Sequence, residues 1–164
     1  MEFSRPRSEA ILPALIVAMA CIVGAVPAEA QFRPIAAPAD QGVVYIYRHR
    51  AFVGGGIRPR IGVDDSVVGE LSNGRYLAIA LPPGPHILSV VPLRRLSVRM
   101  DPQAVPIQLN IEAGHSTYVR VTIGPHAFSI DGIPLAWATT FELVGESHAL
   151  IELPELRAAD AARP

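Results

Sequence analysis

From Val43 onward the chain alternates apolar and polar residues in short runs, each broken by glycine, proline, asparagine or aspartate. Alternation with a period of two places the two kinds of side chain on opposite faces of a strand, one buried and one wet. "VVYIYRH" opens the series with the β-branched and aromatic residues that suit a packed, pleated surface. In "IRPRIGVD", Ile57, Pro59, Ile61 and Val63 share one face, while Arg58, Arg60, Gly62 and Asp64 share the other. "DDS" turns the chain into the strand "VVGEL". "SNG" at Ser72–Gly74 predicts a hairpin turn, because Asn and Gly both tolerate positive φ. "RYLAIAL" follows, and "PPG" at Pro82–Gly84 closes it as a type II turn with "HILSVV" as the returning strand.

Arg94–Pro102 reads as a loop or a weak strand. "VPIQLNIE" then alternates again, with Val105, Ile107, Leu109 and Ile111 inward. Pro106 cannot donate to a ladder and predicts that this strand lies at a sheet edge. "AGH" turns into "STYVRVTI", and a Pro/Gly-rich loop over 124–135 leads to "ATTFELV". "ESHALIEL" predicts a short C-terminal helix over Glu146–Leu153, packed over one opening or edge. Ala149, Leu150 and Leu153 fall on one side of it and Pro154 stops it. Short strands recurring every ~8–12 residues predict an all-β fold, an antiparallel β-sandwich of about seven or eight strands. Its core is predicted at Val44, Ile46, Ile61, Val63, Leu77, Ile79, Leu88, Val90, Leu109, Val119, Val121 and Phe141.

The first 42 residues follow a different pattern. Arg5 and Arg7 precede the apolar run "AILPALIVAMACIVG", which is short, interrupted by Pro13, and followed by the small residues Ala28 and Ala30 around Glu29. A basic start, a short apolar core and an A-x-A end form a secretory signal peptide over 1–30, with cleavage between Ala30 and Gln31. The mature chain would be exported, periplasmic or extracellular, with no transmembrane span. The alternatives are a lipoprotein anchored through Cys21, although Ala18 stands where such signals prefer leucine, and an uncleaved anchor, against which the A-x-A site argues. The Pro/Ala-rich 31–42 reads as a flexible leader, 43–153 as the domain and 154–164 as a disordered tail.

Cys21 is the only cysteine, so the mature chain has neither disulfides nor thiolate metal sites. Removing Arg5, Arg7, Glu2, Glu9 and Glu29 from 14 basic and 15 acidic residues leaves 12 of each. A neutral domain lacks the electrostatic footprint of a nucleic-acid binder. Lysine is absent and every basic side chain is arginine.

The stretch most like chemistry is "YIYRHRAFVGGG", Tyr45–Gly56. A phosphate loop needs backbone N–H groups converging at a helix N-terminus, usually with a lysine. Here a strand containing Pro59 follows the glycines, so they are read as a mobile crossover between strands. Arg48, Arg58 and Arg60 form a candidate cluster for an anion if their strands lie side by side. Against this, exposed strands carry charge for solubility. The histidines, His49, His86, His115, His126 and His148, are scattered singly without the close spacing of zinc ligands. There is no G-x-S-x-G elbow, and Asp64 and Asp65 fall in a turn. Trp137 is either a stacking platform for a sugar or partner, or core packing.

"YIYR", "FVGGG" and "RIGVDDSVVGELSNGRYLAIALPPGPHIL", with "IEAGHSTYVRV" and "FELV" further on, resemble the bacterial family called domain of unknown function 2846. The resemblance covers most of 43–153. Asp65 stands where the family usually has glycine, and His115 where it usually has lysine. The resemblance implies a small exported β-sandwich of the transthyretin-like or PEGA-like kind and no activity. The expected job is that of a non-enzymatic interaction or structural module without cofactor or metal, docking an envelope protein or polymer. The alternative is a small-ligand binder, for an anion or a carbohydrate, using Arg48, Arg58, Arg60 and Trp137.

Overall fold

The structure is a computed structural model and describes residues 32–91, 103–125, 129–130, 133–134 and 137–159. Two sheets pack face to face. The first has six strands in the order Arg157–Ala158 (β12), Arg75–Leu81 (β4), Gly42–Tyr47 (β1), Ser116–Pro125 (β8), Trp137–Val144 (β11) and Gln103–Ala104 (β6). The second has four, in the order Ser66–Glu70 (β3), Arg60–Val63 (β2), Gly84–Val91 (β5) and Ile107–Ile111 (β7). A small ribbon of Ser129–Ile130 (β9) and Ile133–Pro134 (β10) lies apart from both. Eight of these strands have four or more residues, in line with the all-β sandwich read from the alternation.

The central strand β1 is buried along its whole length because both its faces are covered. Val44 and Ile46 point into the space between the sheets. They meet Ile61, Val63, Leu71, Leu77, Leu88, Leu109, Ile111, Val119, Val121 and Phe141 there. Ten of the twelve predicted core residues belong to this buried cluster, and Ile79 and Val90 pack half-buried against it. Val43, Tyr45 and Tyr47 point the other way, into a second buried cluster with Phe32, Tyr118, Ala149, Leu153 and Leu156. The molecule therefore has three layers: the small sheet, the large sheet, and a cover made of both ends of the described chain.

That cover corrects several expectations. The helix runs over Glu146–Glu152 (α1) and continues as a 3₁₀ turn, Leu153–Glu155, with Pro154 in its first positions. It lies on the outer face of the large sheet rather than over an opening or edge. Of the three residues on its apolar side, Ala149 and Leu153 are buried and Leu150 is partly exposed. The leader is pinned by Phe32, whose ring stands edge-on to Tyr45 at 5.4 Å and to Tyr76 at 5.2 Å. The tail from Pro154 to Ala159 is ordered as well, with β12 pairing parallel to β4.

The turns differ most from the sequence reading. "DDS" does make a hairpin, antiparallel β2–β3 with a bulge at Ile61/Gly62. "SNG", "PPG" and "AGH" instead carry the chain from one sheet to the other, since β3, β5 and β7 lie in the small sheet and β4 and β8 in the large one. Not every pairing is antiparallel either: β1 runs parallel to β8, and β6 to β11. β7 is an edge strand, as Pro106 required, but Val105 precedes it and is 81% exposed. Arg94–Pro102, the signal segment with Cys21 and the Ala30–Gln31 junction, His126 and the last five residues lie outside the described residues.

Candidate functional site

Arg48 follows β1 and is only 2% exposed. Its Nη1 donates to the Ile57 carbonyl at 2.7 Å and its Nη2 to the Gly54 carbonyl at 2.8 Å. Burial lowers its pKa, yet a guanidinium starts so high that it stays charged. A buried cation of this kind is tolerated because carbonyl oxygens replace its lost water. Arg48 is therefore the internal brace of the "FVGGG" loop, buried against the carbonyl that precedes Arg58 rather than presented at the surface as Arg58 is.

The loop is tied at further points. Asn73 accepts from the Ala51 N–H at 2.9 Å and donates to the Ala51 carbonyl at 2.8 Å. Ile57 N–H bonds the Gly54 carbonyl at 3.0 Å. Gly54 has φ +73°, and a Cβ there would also lie 3.2 Å from the Trp137 ring. Trp137 is half-buried at the start of β11 and packs behind this loop. The expected mobile crossover is thus a braced one, and at its apex Phe52 is fully exposed with Val53 half-exposed beside it.

Beside the loop lies an open cleft of about 340 Å³ lined by Gly55, Arg58, Ser72, Asn73, Arg75 and Ala159. Gly55 is needed at its wall, because a Cβ there would come within 2.7 Å of the Ala51 carbonyl oxygen. Arg58 is exposed and makes no hydrogen bond or ion pair with any described residue. Arg75 Nη1 donates to the Ala158 carbonyl at 2.9 Å. Arg60, on β2, stands opposite Glu70 in register and does not line the cleft. Arg75 and Ala159 were missed as site residues because β12 is a two-residue strand inside a stretch that reads as a tail.

Two polar clusters hold the remaining chemistry, and both are internally paired. Under α1, Glu152 accepts from the Tyr47 hydroxyl at 2.5 Å and from Arg120 Nη1 at 2.7 Å, and His49 Nε2 lies 3.1 Å away. Arg120 also reaches Glu142 at 2.9 Å. Burial and the adjoining Glu152 carboxylate push the Tyr47 hydroxyl well above the ordinary tyrosine value. Burial pushes Glu152 up, but the Tyr47 and His49 contacts and the Arg120 charge outweigh it, so its pKa lies below the usual range. At the rim of the sandwich, His86 Nδ1 sits 2.8 Å from Asp64 and Nε2 sits 2.9 Å from the Pro82 carbonyl. Both partners are acceptors, so the imidazolium satisfies both, and the Asp64 bond raises the His86 pKa. Asp64, at φ +52°, also accepts from the Ile87 N–H at 2.9 Å, a partner 23 residues away rather than in its own turn. That bond, with His86, holds its carboxyl below the usual value. Among the described residues no three His, Cys, Asp or Glu side chains gather as a metal site.

With this geometry in hand, comparison with known proteins places the fold in a family. Residues 38–132 match the family model described as protein of unknown function (DUF2846), and the chain belongs to that family. No curated protein and no solved structure matches the chain. Among the described residues no helix is long and apolar enough to cross a membrane.

Proposed function

We propose that this protein is an exported, non-enzymatic interaction module that docks an envelope protein or polymer through the Phe52–Val53 loop. The observation that carries the reading is a fully exposed phenylalanine on a loop braced from beneath by a buried arginine. Water disfavours that ring, whereas a partner's apolar pocket would bury it, and a loop already held in one shape loses little entropy on binding. The groups with reactive potential support a non-catalytic role, since Glu152 and His86 have their polar atoms engaged within the protein. Export rests on the basic, apolar, A-x-A pattern of residues 1–30.

A photoreactive amino acid at position 52 is expected to crosslink a discrete partner in cells, and one at exposed Leu150 is not. With the photoreactive residue at half-exposed Val53 instead, Phe52→Ala should abolish the adduct with an unchanged melting temperature. Deleting Gly54–Gly56 is a poorer test, because it also removes a carbonyl that Arg48 needs. Equal labelling from positions 52 and 150 would refute the docking role. Mass spectrometry of the mature N-terminus tests export: Gln31 is the expected first residue, and an acylated Cys21 would replace the soluble form with the lipoprotein.

A further inference from the structure

We propose that the cleft between the braced loop and β12 is a binding site for a dianionic phosphate group, as borne by a small phosphomonoester. Among the described residues its lining carries two guanidinium groups, from Arg58 and Arg75, a hydroxyl from Ser72, an amide from Asn73, and no carboxylate. Among the described residues Arg75 bonds a neutral carbonyl and Arg58 bonds none, so neither positive charge is paired there with a carboxylate. A guanidinium presents paired N–H donors that match two oxygens of one phosphate, and charge-assisted bonds of this kind are the strong ones. Two such charges balance a dianion better than a monocarboxylate. The cleft's size is at the lower end for ligand sites, and its polar, open character suits a compact charged group over an apolar ligand.

The mode of binding differs from that of a glycine-rich phosphate loop. Recognition comes from side chains of two separated segments: the approach to β2, and the β3–β4 connection with the start of β4. The glycine at 55 acts by leaving the wall low. Arg48 contributes indirectly, because its bonds to the Gly54 and Ile57 carbonyls fix the segment that leads into Arg58. Phe52 does not line the cleft, so anion binding and partner docking are separately testable.

Titration of the intact protein with inorganic phosphate, against chloride at matched ionic strength, is the direct test. Saturable binding is expected by calorimetry, with amide shifts at Gly55, Ser72 and Asn73. Arg58→Ala should weaken it about tenfold, the loss of one charge-assisted contact, and Arg58→Glu should abolish it. Neither change threatens the fold, since Arg58 supports no other described group. Phe52→Ala should bind phosphate normally, so the docking proposal and this one fail independently. An absence of saturable binding, an unchanged affinity in Arg58→Glu, or acetate binding as tightly as phosphate would each overturn the assignment.

Discussion

The two buried clusters on either face of β1 solve the same problem with different materials. The inner one, between the sheets, is built almost wholly of Val, Leu and Ile with Phe141, and needs no polar partner. The outer one is built around Tyr45, Tyr47 and Tyr118, and each of these hydroxyls has found a partner at its edge. Tyr45 accepts from the Ile35 N–H at 2.7 Å, while Tyr47 and Tyr118 donate to Glu152 and Glu146. A surface covered by another sheet can be dry throughout. A surface covered only by a short helix and an extended leader has wet margins, where an amphipathic side chain keeps its ring buried and its hydroxyl satisfied. The tyrosines thus tie the two ends of the domain to its central strand.

The severest way to break the comparison is to charge the inner layer. Ile61→Asp, or Val121→Asp, should abolish cooperative unfolding altogether, because a buried unpaired carboxylate costs more than a domain's whole stability. Circular dichroism melting would show it, and a normal transition would contradict the packing. Truncating the outer layer should be milder. Leu153→Ala removes a fully buried side chain under the cover and should cost about 2–5 kcal/mol. Hydrogen exchange should rise first in α1, with the small sheet still protected.

Smaller still is the effect of Tyr47→Phe, which leaves the ring in place and takes one donor from Glu152. It should cost about 1 kcal/mol. It should also shift the acid limb of the stability profile. Glu152 is depressed in the fold, so its contribution is present above its unfolded pKa near ~4.3 and is lost as pH falls through the lower folded value. Tyr47→Phe should weaken that loss on acidification, read from denaturant midpoints. The smallest effect has the opposite sign. His86 is raised, so its contribution is full below its unfolded pKa near ~6.5 and fades as pH climbs through the higher folded value. A small decline in melting temperature above that pH should vanish in His86→Gln.

The inner core was legible in the sequence because its signal is local. Ile61 and Val63, or Val119 and Val121, announce their shared face by alternation within a few residues. The outer core was not, because β1 shows no alternation: "VVYIY" is apolar on both sides, which marks a strand covered twice but does not say by what. Phe32 and Leu156 sit in stretches whose Pro and Ala content reads as linker, and they are buried by contacts more than ten residues away. The candidate sites show the same division. Arg58 was found from its exposed register on a strand. Arg48 sits where Tyr-x-Tyr-Arg ends and gave no sign that it turns inward to two carbonyls.

By itself, then, the sequence determined the all-β class, the family, about seven or eight strands, most of the residues between the sheets and the C-terminal helix. Those follow from periodicity and from turn residues whose φ preferences are properties of single side chains. Only the tertiary structure decided which strands are neighbours. "SNG" and "PPG" favour a reversal of direction, but the same reversal either returns a strand to its own sheet or passes it to the facing one. The choice depends on which long-range pairings bury the most surface, and it sends β1 beside β8, more than sixty residues later in the chain, rather than beside β2. That arrangement buries Arg48 as a brace, leaves Arg58 without a partner among the described residues, and brings β12 back to β4 to complete the arginine cleft, because sheet register, unlike turn chemistry, is settled by the whole domain at once.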